Sequence, residues 1–310
     1  MSAEPIVYLT GNFVPASQAG LKIYDAGIVL GATATEFTRT FAGELFRLDD
    51  HLRRLFRSLK YLRLDIGMDL ARLREITREL AAHNLPLLPP GAELGIIHFV
   101  TPGEFRVYAG SAGAGGSSGP TVCIHSMPLP LHLWKETFVQ GAHLVIASNR
   151  HVPPQCMDPK MKYRSRLHYY LADLEARQVD PKASALLLDL DGNLTETGGA
   201  NFLLVRNGAV CSPTTRNILP GISREVVIEL CAELGIPFQE RDLQPYDAIN
   251  ADEAFLATTP YCLAPVTRIN TMPVGDGLPG PIFRRLLAAW SHKVGVDIGQ
   301  QVLGATVASA

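Results

Sequence analysis

The feature that most constrains this chain of 310 residues is a glycine-led helix start that follows a strand-rich segment. After Pro220-Gly221, apolar residues at helical spacing predict an amphipathic helix over residues 222–234. A helix start presents unpaired backbone N–H groups and the positive end of its dipole, and a glycine there lets an anion approach closely. Many helix starts bind no ligand, so this feature taken alone is better explained as an ordinary N-terminus.

A lone glutamate, Glu196, lies upstream of this helix start in the stretch that begins at Asp191. A carboxylate can keep the ring nitrogen of a pyridine-type cofactor protonated, while a helix start can hold a phosphate. The two features together favour a phosphorylated cofactor with a basic ring.

The runs Thr195–Asn201 and Leu219–Arg224 resemble those of the class IV aminotransferases. These are the fold type IV pyridoxal-phosphate enzymes, which include branched-chain aminotransferases, D-amino acid aminotransferases and aminodeoxychorismate lyase. The resemblance implies that Glu196 contacts the pyridine nitrogen. It also implies that the donors of Gly221, Ile222 and Ser223 hold the phosphate of pyridoxal 5'-phosphate.

Two positions depart from the family pattern. Thr197 displaces the glycine expected directly after the glutamate, and Ser223 stands where threonine is usual. Neither change removes a required functional group.

The resemblance extends from about Asp25 to about Arg284. Upstream, the run from Phe46 to Leu55 is similar to a family helix start whose arginine grips the cofactor phosphate, which implies that role for Arg54. Spacing alone would place Arg54 on a solvated basic face. Downstream, the run from Phe255 to Pro260 implies that Thr259 also reaches the phosphate.

Two lysines, Lys160 and Lys162, compete for the Schiff base with the cofactor. A usable lysine must reach an enclosed site, where loss of solvation and nearby positive charge make its amine nucleophilic. Counting back from residues 170–176, the resemblance implies Lys162. The helix that follows is predicted to direct Leu167, Leu171 and Leu174 inward.

The resemblance implies a pyridoxal-phosphate-dependent aminotransferase that moves an amino group between an amino acid or amine and a keto acid by a ping-pong Schiff-base mechanism. Lys162 then acts as the base that moves the proton of the substrate's α-carbon. Two alternatives remain open: a lyase of the aminodeoxychorismate lyase type, and a non-catalytic binding protein on the same fold.

Substrate residues are the least specified part of the sequence. Arg106 and Tyr108 resemble in part the pair that traps the substrate carboxylate in D-amino acid aminotransferases, although a surface charge on a strand edge explains Arg106 equally well. Thr35 and Thr258 are the other candidates. Arg166 falls near the position from which a family tyrosine contacts the phenolic oxygen of the cofactor. Preference for L-amino acids, D-amino acids or amines stays open.

Bulk properties are those of a soluble protein. The net charge is −2 with dispersed basic residues, which gives no electrostatic case for nucleic acid or an anionic membrane, and no apolar run reaches the length of a membrane span. Five scattered cysteines without metal-type spacing predict reduced thiols and a cytoplasmic location. The resemblance implies a homodimer, with the site at the domain interface and closed by a partner loop.

The predicted fold class is α/β (α+β) with two domains. A smaller N-terminal α/β domain covers residues 1–126, a linker covers 127–134, and a larger domain with a strand-rich core covers 135–310. The linker is placed there because the prolines of Met127–Pro130 interrupt strand pairing. Helices are predicted near 49–62 and 68–83, a surface loop over 110–119, and strands in the following ranges: Ile6–Thr10, Glu36–Phe41, Ile96–Val100, Phe105–Tyr108 and Thr121–His125.

Overall fold

A computed structural model describes residues 4–110 and 119–306, and the chain divides into two compact units. The first unit comprises residues 1–129 together with 161–165, and the second comprises 130–160 and 166–310. The division between Leu129 and Pro130 falls inside the predicted linker. The short segment 161–165 is the exception, because its contacts put Lys162 in the first unit rather than in the C-terminal domain.

The first unit contains one antiparallel sheet and the helices that cover it. Its strands are β1 (Ile6–Leu9), β2 (Asn12–Pro15), β3 (Ala34–Phe41), β4 (Glu44–Leu45), β5 (Leu94–Thr101) and β6 (Thr121–Pro128). Its helices are α1 (Ala26–Val29), α2 (Leu48–Leu62), α3 (Leu70–Asn84) and α4 (Arg106–Ala109). The strand order is β2-β1-β6-β5-β3-β4. The core packs α2 and α3 against one face of this sheet.

The two long helices of the first unit confirm the predicted spans to within two residues. Leu52, Leu55 and Leu59 of α2 recur at helical spacing and are at most 2% exposed. The Asp69 carboxylate accepts a hydrogen bond from the Arg72 backbone N–H at 2.8 Å, which caps the first turn of α3.

Two predictions for this unit are wrong. Residues 105–108 form no strand, because Arg106 begins the helical turn α4. The proline-spaced run does continue a paired strand, since Met127 and Pro128 lie opposite Gly95 and Leu94 of β5. Pro128 is tolerated because β1 pairs with β6 only near Cys123 and Ile124, so the edge of β6 away from β5 needs no N–H there.

The second unit contains a mixed sheet of eight strands among the described residues. The strands are β7 (Ala142–Arg150), β8 (Ser184–Leu188), β9 (Asn201–Arg206), β10 (Ala209–Ser212), β11 (Phe238–Glu240), β12 (Glu253–Thr258), β13 (Cys262–Ile269) and β14 (Met272–Pro273). The order is β11-β10-β9-β12-β13-β7-β8, with β14 beside β13. Pairing is parallel for β10–β11, β13–β7 and β7–β8 and antiparallel elsewhere.

Six helices accompany this sheet in the part of the chain that the structure describes. They are α5 (Lys135–Gln140), α6 (Leu167–Val179), α7 (Ile222–Glu233), α8 (Pro245–Ile249), α9 (Pro281–Val294) and α10 (Ile298–Gly304). Helix α7 confirms the helix predicted after Pro220-Gly221, with Gly221 as its N-cap residue and Leu234 as its C-cap residue.

The prediction for the inward face of α6 is wrong. Leu167, Leu171 and Leu174 are 68%, 44% and 41% exposed. The buried stripe instead consists of Tyr169, Ala172 and Ala176, which pack in a cluster with residues of β7 and β8. Small side chains let the helix backbone lie close to the sheet, so the alanines rather than the leucines mark the packed face.

The surface loop predicted over residues 110–119 is covered by the structure only in part. Residues 111–118 of this loop lie outside the described residues. Across the ranges that are described, no helix combines the length and the apolar character that a membrane crossing requires.

Leu52→Ala tests the assignment of the α2 core. Leu52 is fully buried, so the variant loses the transfer free energy of the removed atoms and leaves a cavity, and the free energy of unfolding should fall by about 2–5 kcal/mol. Urea denaturation measures the change. Arg57→Ala, an exposed residue of the same helix, is the control and should stay within about 0.5 kcal/mol of wild type. Equal effects of the two variants would contradict the assignment.

Candidate functional site

The backbone of Lys162 is held on both sides within the first unit. Its N–H donates to the Ser58 hydroxyl of α2 at 3.3 Å, and its carbonyl accepts from the Thr35 N–H of β3 at 2.9 Å. The neighbouring residue Tyr163 forms an antiparallel bridge with Ala34. The lysine therefore extends from a short segment that pairs with the start of a central strand.

The two competing lysines differ in environment. Lys160 is exposed and its ammonium lies 3.5 Å from the Asp158 carboxylate, whereas Lys162 is half-buried. An exposed ion pair of this kind keeps an amine hydrated and protonated, which suits a surface residue better than a nucleophile.

Arg54 lies in a buried polar cluster that includes one residue which the sequence analysis did not consider, Glu36 of β3. The Arg54 guanidinium donates to both Glu36 carboxylate oxygens, from Nε at 2.8 Å and from Nη2 at 2.6 Å. His51 Nδ1 lies 3.0 Å from Oε1 of the same carboxylate. All three side chains belong to residues that are at most 3% exposed. The prediction of a solvated basic face from spacing alone is therefore wrong for Arg54.

Charge pairing decides the ionisation of this cluster. Burial alone would raise the pKa of Glu36, but the positive charge and hydrogen bonds of Arg54 and His51 outweigh it and hold that pKa well below its ordinary value. Burial lowers the pKa of His51, and Glu36 opposes this shift without cancelling it. The Arg54 guanidinium is thus fixed in orientation by an ionised carboxylate.

Glu196 lies at the centre of a second polar cluster, in the second unit. It is 8% exposed, and its carboxylate accepts hydrogen bonds from the Tyr169 hydroxyl at 3.0 Å and from Asn201 Nδ2 at 2.8 Å. The Leu219 backbone N–H lies 3.3 Å from both carboxylate oxygens. Each of these neighbours presents a donor, so hydrogen bonds fix the orientation of the carboxylate.

Two histidines adjoin this cluster, and the sequence analysis missed both of them. His151 Nε2 lies 2.7 Å from the Tyr169 hydroxyl, and its Nδ1 lies 2.9 Å from the Val152 carbonyl oxygen. The Tyr169 hydroxyl contacts both His151 and Glu196 and therefore links the two side chains. His168 stacks on Tyr169 with ring centroids 4.1 Å apart, and burial lowers its pKa to about 4.

The departure from the family pattern at Thr197 has a structural explanation. The Thr197 hydroxyl donates to the Ala200 carbonyl at 3.0 Å and accepts from the Ala200 N–H at 3.0 Å. It also accepts from the Gly199 N–H at 3.4 Å. This turn brings Asn201 opposite Glu196 in an antiparallel bridge. The threonine thus closes the loop with its side chain.

The start of α7 carries a glycine at a point where another side chain lies against the backbone. Gly221 has no side-chain cap, and a Cβ added there would lie 2.0 Å from Asn201 Oδ1. Asn201 is itself held by donating to the Leu219 carbonyl at 3.0 Å. Ile222 and Ser223 form the first turn and are buried. A helix start without a side-chain cap presents backbone N–H groups that suit an anion.

The remaining phosphate and substrate candidates of the second unit lie at the end of β12. Thr258 is half-buried and its hydroxyl donates to the Gly199 carbonyl at 2.6 Å, which supports the loop that carries Glu196. Thr259 follows the strand and is half-buried. Arg166 donates to the Gly198 carbonyl at 2.6 Å, so this side chain also contacts the glutamate loop.

The substrate candidates of the first unit are arranged differently from the prediction. Arg106 and Tyr108 are both exposed on the helical turn α4. Residues two apart on a helix point in different directions, so they do not converge as residues of one strand face would. Thr35 is buried, and its hydroxyl donates to the His98 carbonyl at 2.9 Å and accepts from Arg164 Nε at 3.2 Å.

Arg54→Gln tests the buried ion pair. Removing the cation leaves Glu36 buried without a counter-charge, which should lower the free energy of unfolding of the cofactor-free protein by about 3–5 kcal/mol at pH 7. In wild type the lowered pKa of Glu36 gives stability above the unfolded-state pKa of about 4.3, and this stability is lost only as the pH falls through the folded-state value.

In the variant the pKa of Glu36 should instead rise, so protonation of Glu36 removes the cost of an unpaired buried charge. The free energy of unfolding of the variant should therefore approach that of wild type as the pH falls from about 7 towards about 4.3. Urea denaturation across this range measures it, with Arg53→Gln, an exposed arginine of α2, as the control. If the difference in free energy of unfolding between wild type and variant does not depend on pH, Glu36 is not the buried group that loses its counter-charge.

Comparison with known proteins identifies the family of this chain. A family model described as amino-transferase class IV matches residues 33–269. A putative branched-chain-amino-acid aminotransferase of Methanocaldococcus jannaschii is 29% identical over 90% of this chain and 93% of its own length. A D-alanine aminotransferase of Bacillus licheniformis is 26% identical over 93% and 96%.

Length varies among the relatives. A branched-chain-amino-acid aminotransferase-like protein of Arabidopsis thaliana is 29% identical over 93% of this chain, but the chain spans 50% of that relative.

Among solved structures, a T.th. branched-chain amino acid aminotransferase with pyridoxamine 5'-phosphate is 26% identical, with a TM-score of 0.83 and 94% of each chain covered. Since the family model matches well over half of its residues, this chain belongs to the class IV aminotransferases, which are pyridoxal-phosphate-dependent transaminases.

Proposed function

We propose that this class IV aminotransferase transfers an amino group between an amino acid or amine and a keto acid, with Lys162 as the residue that binds pyridoxal 5'-phosphate covalently. The observation that carries the proposal is the position of Lys162. Its backbone is fixed by Ser58 and Thr35, whereas the competing Lys160 is exposed and paired with Asp158. A fixed backbone lets one amine serve both as the attachment point and as a base.

The residues present fit the cofactor. Glu196 offers a carboxylate that Tyr169 and Asn201 hold in place by hydrogen bonds, which suits a protonated ring nitrogen. The phosphate would be held by Gly221, Ile222 and Ser223 at the start of α7, together with Thr259 and the guanidinium of Arg54. When bound, pyridoxal phosphate supplies the ring that takes up the electrons released from the substrate's α-carbon.

The roles of the protein's own residues follow from their geometry. The amine of Lys162 would take the proton from the substrate's α-carbon and return it to the carbon on the other side of the substrate nitrogen, a 1,3-shift that one positioned base can serve. The Glu196 carboxylate, which Tyr169, Asn201 and the Leu219 N–H hold by hydrogen bonds, would pair with the protonated ring nitrogen.

Assembly and location are further parts of the proposal. The resemblance to the family supports a homodimer. A cytoplasmic location is supported by cysteines that are free among the described residues, four of them buried. The relatives include aminotransferases named for branched-chain amino acids and for D-alanine, so the proposal leaves the L or D configuration of the substrate unassigned.

Lys162→Ala should abolish the visible absorbance of the covalently bound cofactor and all transamination, because the link requires that amine. Far-ultraviolet circular dichroism should show an unchanged fold. Lys160→Ala is the matched control and should retain both the absorbance and most of the activity, since its amine lies in an exposed ion pair. If Lys160→Ala instead loses the absorbance and Lys162→Ala retains it, Lys160 is the residue that binds the cofactor.

Glu196→Gln should retain the cofactor but slow the first half-reaction by about a hundredfold or more, because a neutral amide cannot hold the ring nitrogen protonated. Cofactor occupancy and the single-turnover rate with an amino donor would be measured together. Tyr169→Phe removes one donor and keeps the carboxylate, so its effect should be clearly smaller. Unchanged kinetics in Glu196→Gln would remove this residue from the proposal.

A further inference from the structure

Arg164 lies on the same short segment as Lys162 and has no role in the function proposed so far. Segment 161–165 runs beside the start of β3, with Tyr163 opposite Ala34. Residues opposite each other in an antiparallel pair share a face of the sheet, so Lys162 lies on the face of Thr35. Side chains alternate along an extended segment, and Arg164 therefore returns to that face.

The Arg164 side chain is anchored on this face. Its Nε donates to the Thr35 hydroxyl at 3.2 Å, and the guanidinium carbon lies 5.6 Å from the centroid of the Phe99 ring. Thr35 and Phe99 are register partners on β3 and β5, and Cys123 of β6 continues the same row. Despite these contacts Arg164 is exposed. The result is a cation that is held in place and still accessible.

The charge of Arg164 is distinct from the buried ion pair of the first unit. Glu36, which binds Arg54, alternates with Thr35 along β3 and so lies on the opposite face of the sheet. His125, two residues beyond Cys123 on β6, lies on the face of Arg164. Burial and, secondly, the charge of Arg164 lower the pKa of His125, which leaves it neutral near pH 7. Arg164 and Lys162 thus provide positive charge on this face.

We propose that Arg164 binds the carboxylate of the amino acid and keto acid substrates; the proposal rests on the aminotransferase function with Lys162 as the covalent residue. A guanidinium presents several N–H donors in a planar fork that matches a carboxylate. Thr35 then acts as a positioning residue that orients Arg164. This assignment replaces the partial match of Arg106 and Tyr108, which diverge on their helical turn.

The test uses the cofactor-loaded full chain as wild type, Arg164→Gln and Arg164→Lys. An amino acid and the amine obtained by its decarboxylation serve as donors. Arg164→Gln should raise the KM for the amino acid about ten- to a hundredfold, the loss expected for a charge-assisted hydrogen bond. The KM for the amine should stay nearly unchanged. The KM of Arg164→Lys for the amino acid should lie between those of wild type and Arg164→Gln, because lysine keeps the charge but lacks the planar set of N–H donors.

A binding measurement does not depend on turnover. Calorimetric titration with 4-methylvaleric acid, an unreactive carboxylate, should show the same weakening in Arg164→Gln. Arg57→Gln, an exposed arginine of α2, is the control for loss of surface charge, and Arg106→Gln tests the competing candidate directly.

The outcomes separate the two proposals. Equal losses for amino acid and amine, unchanged binding of the unreactive acid, or a selective loss in Arg106→Gln alone would each overturn the role of Arg164. If wild type transfers the amino group of neither donor, the proposed function fails instead. The calorimetric comparison still decides whether Arg164 binds a carboxylate.

Discussion

The role proposed for Lys162 depends on two backbone hydrogen bonds of this residue. They come from Ser58 on a helix and from Thr35 on a strand, and both elements belong to the core of the first unit. A lysine side chain keeps its rotatable bonds when the backbone is fixed, but the region that its amine can reach is then limited. The residues that fix the lysine's backbone, Ser58 and Thr35, are remote from it in sequence.

Helix α2 illustrates how one element serves packing and chemistry together. Its leucine stripe packs in the core, while an adjacent stripe of His51, Arg54 and Ser58 turns polar groups towards β3. A buried ion pair such as Arg54–Glu36 contributes little net stability compared with apolar residues of the same size. Its value lies in a guanidinium that is ionised and oriented before any ligand arrives.

The sequence predicted most of the regular structure and less of the polar connections. Helices α2, α3 and α7 were predictable because apolar residues recur at helical spacing and end at turn residues. The inward face of α6 was not, because its alanine stripe is a weaker hydrophobic signal than the exposed leucines. Glu36 offered one signal, a carboxylate inside a predicted strand, but its partner Arg54 lies 18 residues away and only the fold joins them.

The turn at Thr197 affects how much order the second unit must gain when a ligand binds. A glycine at this position would sample many backbone conformations, whereas a threonine whose hydroxyl already bonds to Gly199 and Ala200 samples few. The entropy of ordering the glutamate loop is therefore lost during folding and not during binding. Such preorganisation raises affinity without any added contact. The substitution that looks like a departure from the family pattern thus makes the loop that carries Glu196 rigid before any ligand binds.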